Sequence, residues 1–252
     1  MVISKYTRGN PFIQESLFMF NLFKKKDSKP APATPPQSSQ DARSTIRQTL
    51  FGDQSPDDWP KGNMDGYPWS MFVEARDEIT QKGNMQGAVQ IYKKITETPG
   101  LEARHYLQAW YFLRKLKVEP SPEVGRQVYG VVVDVVLKNG PEFVAAYTDH
   151  TARYFNYNGS GIIWEANNAS LNEIIDALLG ICQQVANQLQ PINVRPNPPQ
   201  QVDTVQINIL TPSGIRHGMG TFDQLSQNAS ANEIVNGATY LMKNLVDKKL
   251  AK

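Results

Sequence analysis

Four residues in the stretch "SGIRHGMG" have types and spacing suited to holding a ligand: Arg216, His217, Gly218 and Gly220. A guanidinium and an imidazole beside two glycines can offer positive charge and exposed backbone amides to an anion or a small polar molecule. The stretch reads as a strand ending in a bulged loop, so a ligand sensor built on Arg216–Gly220 is one expected function. A second polar group, Asp149, His150 and Arg153, falls at a turn, where an Asp-His pair also tolerates positive φ. Asp134 stands alone among valines in "VVVDVV". It is expected to face solvent or to pair with Arg153 across a neighbouring strand, and a general base there would need an activating partner. Cys182 lies on the apolar stripe of a helix, as a buried thiol does, and His105 sits among aromatics in a structural position. Three scattered histidines and one cysteine do not match metal-ligand spacing, and neither a phosphate loop nor a dinucleotide fingerprint occurs. The expected catalytic residues, metal ligands and cofactors are therefore none.

Composition narrows the partners. The chain has 252 residues, 26 basic against 24 acidic, for a formal charge of +2. That length holds one large domain or two small ones with a sizeable core. A nearly balanced charge argues against nucleic acid as the main partner. The aromatic clusters "WYF" and "YFNY" also lack the interleaved basic residues that a base-stacking platform wants. A single cysteine rules out an intramolecular disulfide and fits a reducing compartment, so the expected location is cytoplasmic.

Residues 1–60 read as a disordered tail and linker. The apolar run from Leu17 to Phe23 is too short to span a bilayer, which needs about 20 apolar residues. Lysines follow this run instead of preceding it, unlike a secretory signal. "MFNLFKKK" would also serve as a normal opening, with translation from Met19. Ile13, Leu17, Phe18, Phe20 and Phe23, followed by Lys24, Lys25 and Lys26, form a candidate partner-docking element. The same residues suit peripheral membrane contact through residues 10–26. Pro30, Pro32, Pro35 and Pro36 then mark a stiff, solvated linker.

From residue 61 to 118 the periodicity is helical. Trp69, Phe72, Ala75, Arg76 and Ile79 recur at spacings of three and four. Gly83 breaks the run, Asn84 can cap the next helix, and Ala88, Ile91, Tyr92 and Ile95 form its stripe. Pro99-Gly100 stops it before a third helix over "LEARHYLQAWYFLRKL", with Tyr106, Leu107, Trp110, Leu113 and Leu116 facing inward. Residues 67–99, with their Gly-Asn turn, the Ala88–Tyr92 spacing and the closing Pro99, resemble one tetratricopeptide-like helical hairpin. Arg76 departs from the small residue that repeat favours, and "PSPEVG" follows where another repeat would continue. The resemblance implies a protein-binding surface. It does not imply a stand-alone array, which needs about three repeats.

After residue 119 the period changes to two. "VYGVVVDVVL", "EFVAAYT", "ARYFNY" and "GIIWE", separated by Asn139-Gly140, Asp149-His150 and Asn158-Gly159, describe an antiparallel meander. "DTVQINILT" adds a half-exposed strand with Val205, Ile207 and Ile209 inward, and "SGIR" begins another. Two helices follow "NASLNEII" and "NASANEIV", where Ser170 with Glu173 and Ser230 with Glu233 read as capping boxes. The shared Asn-Ala reflects either an internal strand–strand–helix duplication or convergence on helix-start chemistry. The N-x-S matches at Asn158, Asn168 and Asn228 are then turn and cap residues rather than glycan acceptors.

The expected fold is α+β, a two-layer sandwich: an N-terminal helical segment, then an antiparallel meander sheet with two long helices packed on it. Its architecture resembles that of the profilin, roadblock and longin group. The expected function is that of a non-catalytic protein–protein interaction or scaffold protein of bacterial type. The ligand sensor is the alternative, and an enzyme with a site assembled from distant residues comes third.

Overall fold

In the computed structural model, residues 45–250 are described, apart from 57, 58, 60–63, 65, 166 and 167. The β-branched run "GVVVDVVL" makes strand β1 (Gly130–Leu137), beside β2 (Gly140–Tyr147). The sheet is completed by β3 (Ala152–Phe155), β4 (Gly161–Trp164), β5 (Thr204–Thr211) and β6 (Gly214–Thr221). All pairs are antiparallel and the order is β4-β3-β2-β1-β5-β6. The central hairpin β1–β2 is thus flanked by two outer hairpins, β3–β4 and β5–β6. Each outer hairpin leads into a long helix, α4 (Asn172–Ala186) and α6 (Ala229–Leu250) respectively, the second after a short α5 (Phe222–Ser226). Three helices precede the sheet: α1 (Trp69–Thr80), α2 (Met85–Glu97) and α3 (Ala103–Lys115). None of the helices among the described residues is long and apolar enough to cross a membrane.

Alternation along the strands sorts two cores. Val131, Val133 and Val135 of β1 and Val205, Ile207 and Ile209 of β5 meet Ile175, Leu178 and Cys182 of α4 and Ile234, Leu241 and Leu245 of α6. The other face is not left to water. Val132, Phe143, Ala145, Tyr147 and Leu210 pack beneath Leu50 and Phe51 of an arm (residues 45–54) and beneath Ala103 and Leu107 of α3. All eight residues of β5 are buried, where a half-exposed strand was expected. The arm supplies the cover. Its residues belong to the stretch read as tail and linker, because one short turn carries too little periodicity to stand out. Gly52 lets it lie flat: φ is +61°, and a Cβ there would sit 2.7 Å from the Arg104 carbonyl oxygen. The expected tail over residues 1–44 lies outside the described residues.

The helical segment follows the expected boundaries closely. Gly83 turns with φ +64°, and Asn84 caps α2 by accepting from the Gly87 amide at 3.0 Å. A third core joins Phe72, Ala75, Ala88, Tyr92, Ile95, Ala109, Phe112 and Leu113. Trp59, from the supposed linker, completes it edge-on to Trp69, Phe72 and Phe112. Helix α3 therefore faces both this core and the sheet.

The repeated "NAS" receives its explanation at the helix starts, with a correction. The caps are the asparagines, not the serines. Asn168 Oδ1 accepts from the Ser170 amide at 3.1 Å, and Asn228 Oδ1 accepts from the Ala231 amide at 3.0 Å. A complete capping box lies instead at the start of α5, where Thr221 and Gln224 exchange bonds at 3.2 and 2.9 Å. An asparagine cap contributes about 1 kcal/mol relative to alanine. Asn228→Ala is expected to lower stability by about that amount, and Ser230→Ala to stay within about 0.5 kcal/mol of wild type, measured by urea unfolding.

Candidate functional site

The sheet face under the arm carries a polar cluster at its centre. Asp134 of β1 lies opposite Gln206 of β5, and Val132 lies opposite Asn208. Alternation thus turns Asp134, Gln206 and Asn208 to the same side, and pairing with Asn208 adds His217 of β6. Asp134 is fully buried. This corrects both placements expected from sequence, facing solvent or pairing with Arg153. Arg47 of the arm grips it with both carboxylate oxygens engaged, Nε to Oδ1 at 2.7 Å and Nη2 to Oδ2 at 2.9 Å. Asn208 Nδ2 donates to the same Oδ2 at 2.9 Å.

The network reaches outward on both sides. Arg47 Nη1 donates to the Pro196 carbonyl at 3.2 Å, and the guanidinium stacks over Phe51, 4.8 Å from the ring centroid. Arg195 lies over the same ring at 5.4 Å, donates to the Gln48 carbonyl at 3.0 Å and pairs with Asp53 at 3.3 Å. Asn208 Oδ1 accepts from Gln206 Nε2 at 3.2 Å and faces His217 Nδ1 at 3.3 Å, which assigns the proton to that nitrogen. Burial pushes the Asp134 carboxyl upward against the pull of Arg47 and Asn208. Burial likewise pushes the His217 imidazole down, against the pull of Asp134 and with the push of Arg47, which favours its neutral form. Burial raises Asp53 despite Arg195, Arg114 and Arg47 nearby. Asp53 and Arg114 line a cavity of about 20 Å³ between the arm, α3 and the β5–β6 turn, with room for about one water. The cluster therefore acts as a clasp holding the arm to the sheet.

The residues singled out from sequence are dispersed. Arg216, His217, Gly218 and Gly220 do not form a bulged loop: β6 stays in register with β5 from Gly214 to Thr221. Arg216 and His217, being neighbours on a strand, point to opposite faces. Arg216 is buried, and its guanidinium donates to the carbonyls of Leu189 and, at 3.3 Å, Gly125. It ties the end of α4 and the approach to β1 onto the sheet. Asp149, His150 and Arg153 also diverge. Asp149 Oδ2 accepts from the Ala103 amide at 2.7 Å, starting α3, while Oδ1 accepts from Thr151. His150 takes φ +60° and meets Asp176 of α4 at 2.9 Å. His105 packs edge-on against Trp69 at 5.4 Å. Cys182 is fully buried, which pushes its thiol up to about 12. Phe18, Phe20, Phe23, Lys24, Lys25 and Lys26 lie outside the described residues. Arg47, Gln206 and Asn208 went unmarked, although an isolated Asp in a valine strand calls for a cation and donors from elsewhere.

On the opposite face one carboxyl is held near neutrality. Glu142 of β2 is buried and accepts from the Tyr154 hydroxyl at 2.8 Å. Burial raises it from 4.5 to about 7, against the pull of Tyr154 and a backbone donor at Tyr157.

Two outcomes are expected. Arg47→Ala leaves Asp134 buried without its counter-charge and costs about 3–5 kcal/mol in denaturant unfolding. For Glu142 the folded value exceeds the unfolded one, so its contribution is complete below about pH 4.5 and lost as pH rises through about 7. Stability should fall across that window by at most about 3 kcal/mol in wild type relative to Glu142→Gln, measured by unfolding as a function of pH.

Comparison of this chain with protein-family models, with curated proteins and with solved structures returns no match.

Proposed function

We propose that the protein is a non-catalytic protein–protein interaction or scaffold protein, with the α1–α2 hairpin as its recognition surface. One observation carries this reading. The hairpin has a core of its own, built from helical residues and Trp59, and is anchored through α3, which also packs on the sheet. The rigid sheet thereby acts as a base and the hairpin as a presented element. Its outward side carries Tyr67, Met85, Gln86, Gln90, Lys93 and Lys94, all exposed. Met85, at the turn end of the hairpin, is 63% exposed, an apolar side chain among polar neighbours of the kind that protein contacts use. The resemblance of residues 67–99 to a tetratricopeptide-like hairpin points the same way. Residues 10–26 are a second proposed contact, for a partner or a membrane surface, and a cytoplasmic location belongs to the same proposal.

The test is affinity capture with the full chain, beside the variant Met85→Glu/Lys93→Glu. Both positions are exposed, so the variant is expected to keep wild-type stability within about 0.5 kcal/mol. A stoichiometric partner should bind the wild type and lose about tenfold or more in affinity to the variant. A partner held equally well by both proteins would remove the hairpin as the recognition surface. Substrate turnover by the wild type would overturn the non-catalytic assignment.

A further inference from the structure

Three arginines are buried among the described residues, and two of them have evident partners. Arg47 meets Asp134, and Arg216 donates to two backbone carbonyls. Arg153 of β3 has neither. It is 7% exposed, and its one hydrogen bond runs from Nη1 to the carbonyl of its own neighbour, Ala152, at 3.4 Å. Among the described residues it forms no ion pair. A guanidinium is rich in donors, and a buried charge is ordinarily paired. The Nε and Nη2 of Arg153 are not sealed inside the protein, as the unpartnered Nε of Arg104 is, so they still reach the surface.

One side of this guanidinium is apolar. Ile163 of β4 lies directly across from Arg153, and Phe155 stands two residues along β3, all on the same side of the sheet. Ile163 is 57% exposed and belongs to none of the cores, whereas Ile162, on the other side, packs into the core beneath the long helices. The Phe155 ring lies over Gly161, where a Cβ would sit 2.4 Å from Phe155 Cε1. Phe155 borders the core under the arm and Ile163 lies beyond it, so the two make an apolar strip that leads outward from Arg153.

The other side is charged, but its charges are already engaged. Arg104 of α3 lies over the Tyr147 ring at 5.9 Å, and Glu102 holds its Nη2 at 2.6 Å. Asp149 is taken up by the Ala103 amide and by Thr151. Burial, and then Arg104, push the Arg153 guanidinium down, against the pull of Tyr147, Glu165 and Glu102. Among these groups the Arg153 charge is the one without a close partner.

We propose that the β3–β4 face binds a small monocarboxylate with an apolar body, its carboxylate on the Nε–Nη2 edge of Arg153 and its hydrocarbon part along Phe155 and Ile163. A planar carboxylate matches that edge with two parallel bonds, as Asp134 matches the same edge of Arg47. One negative charge suits the site better than two, because Glu102 and Glu165 stand nearby. That sets a monocarboxylate ahead of a phosphate dianion. The strip is short and partly wet, so binding is weak. This site goes beyond the hairpin reading and stands whether or not the hairpin finds a partner.

The experiment titrates the full chain with isovalerate, followed by melting temperature and by two-dimensional NMR. Acetate, inorganic phosphate and the uncharged isovaleramide are run beside it at matched ionic strength. Isovalerate should raise the melting temperature saturably and shift the resonances of Arg153, Phe155 and Ile163. Acetate and isovaleramide should each bind about tenfold or more weakly, one lacking the apolar body and the other the charge. Arg153→Met should lose the isovalerate response while keeping or exceeding the wild-type melting temperature, because an unpaired buried charge opposes folding. Ile163→Ser should weaken isovalerate and leave acetate unchanged. Absence of a saturable response to isovalerate would overturn the inference. So would an equal response to all three anions that survives in Arg153→Met, which marks an adventitious ion only. A stronger response to phosphate than to isovalerate would overturn the monocarboxylate class. If Arg153→Met and Glu165→Gln each lower the melting temperature and their effects are not additive, Glu165 is the partner of Arg153 and the proposal falls.

Discussion

A carboxylate at the centre of a β-sheet must have a counter-charge, and this requirement organises much of the molecule. Asp134 occupies a position where valine would otherwise sit, on a strand buried along its full length. An isolated ion there would cost several kcal/mol, and pairing offsets that only when geometry is good and the remaining lone pairs are satisfied. The sheet itself supplies one donor, Asn208. The cation comes from 87 residues earlier in the chain. Arg47 therefore ties the arm to the middle of the sheet, and the arm brings Leu50 and Phe51 onto a face that would otherwise be wet.

That closure explains why the described part of the chain does not separate cleanly at residue 60 or at residue 118. The arm shares a core with the sheet, Trp59 belongs to the helical core, and α3 faces both. The buried ion pair is weak evidence of net stability, because an apolar pair of similar shape often holds such layers about as well, whereas removing one partner is costly. Only the arm in this register brings a guanidinium to Asp134, and with it the Arg195–Phe51 and Arg195–Asp53 contacts that continue the clasp.

Periodic signals were legible in the sequence and non-local ones were not. The strands of the meander, the break at Gly83, the Asn84 cap and the apolar stripes of α4 and α6 follow from local spacing, and each falls where expected within a residue or two. The arm has no such signal, since its four-residue turn buries Arg47, Leu50 and Phe51 against partners distant in sequence. Asp134 could be recognised as anomalous, but strand alternation does not reveal which of 26 basic residues approaches it. The helix starts show a subtler limit. S-x-x-E fits a capping box by residue type, yet the helical turn begins before the serine in each motif, so the asparagine two residues earlier stands at the cap position and its side chain accepts from a first-turn amide.

The stretch expected to end in a bulged loop is a continuous strand, and that difference has a simple physical cause. Adjacent residues on a strand cannot converge on one ligand, so Arg216 and His217 were separated once the ladder ran through to Thr221. Arg216 was drawn into the α4 side by two carbonyls that needed a donor, and His217 into the clasp by Asn208. What remains at the edge is backbone, and Gly218 and Gly220 leave little side chain to shield it. Small residues that suggest an amide-lined ligand loop in a sequence do not gather into one on a continuous strand, where the amides are spent on the ladder at every second residue. The distinction rests on one structural fact, the unbroken register of β5 with β6, and β5 is itself buried along its length between two cores.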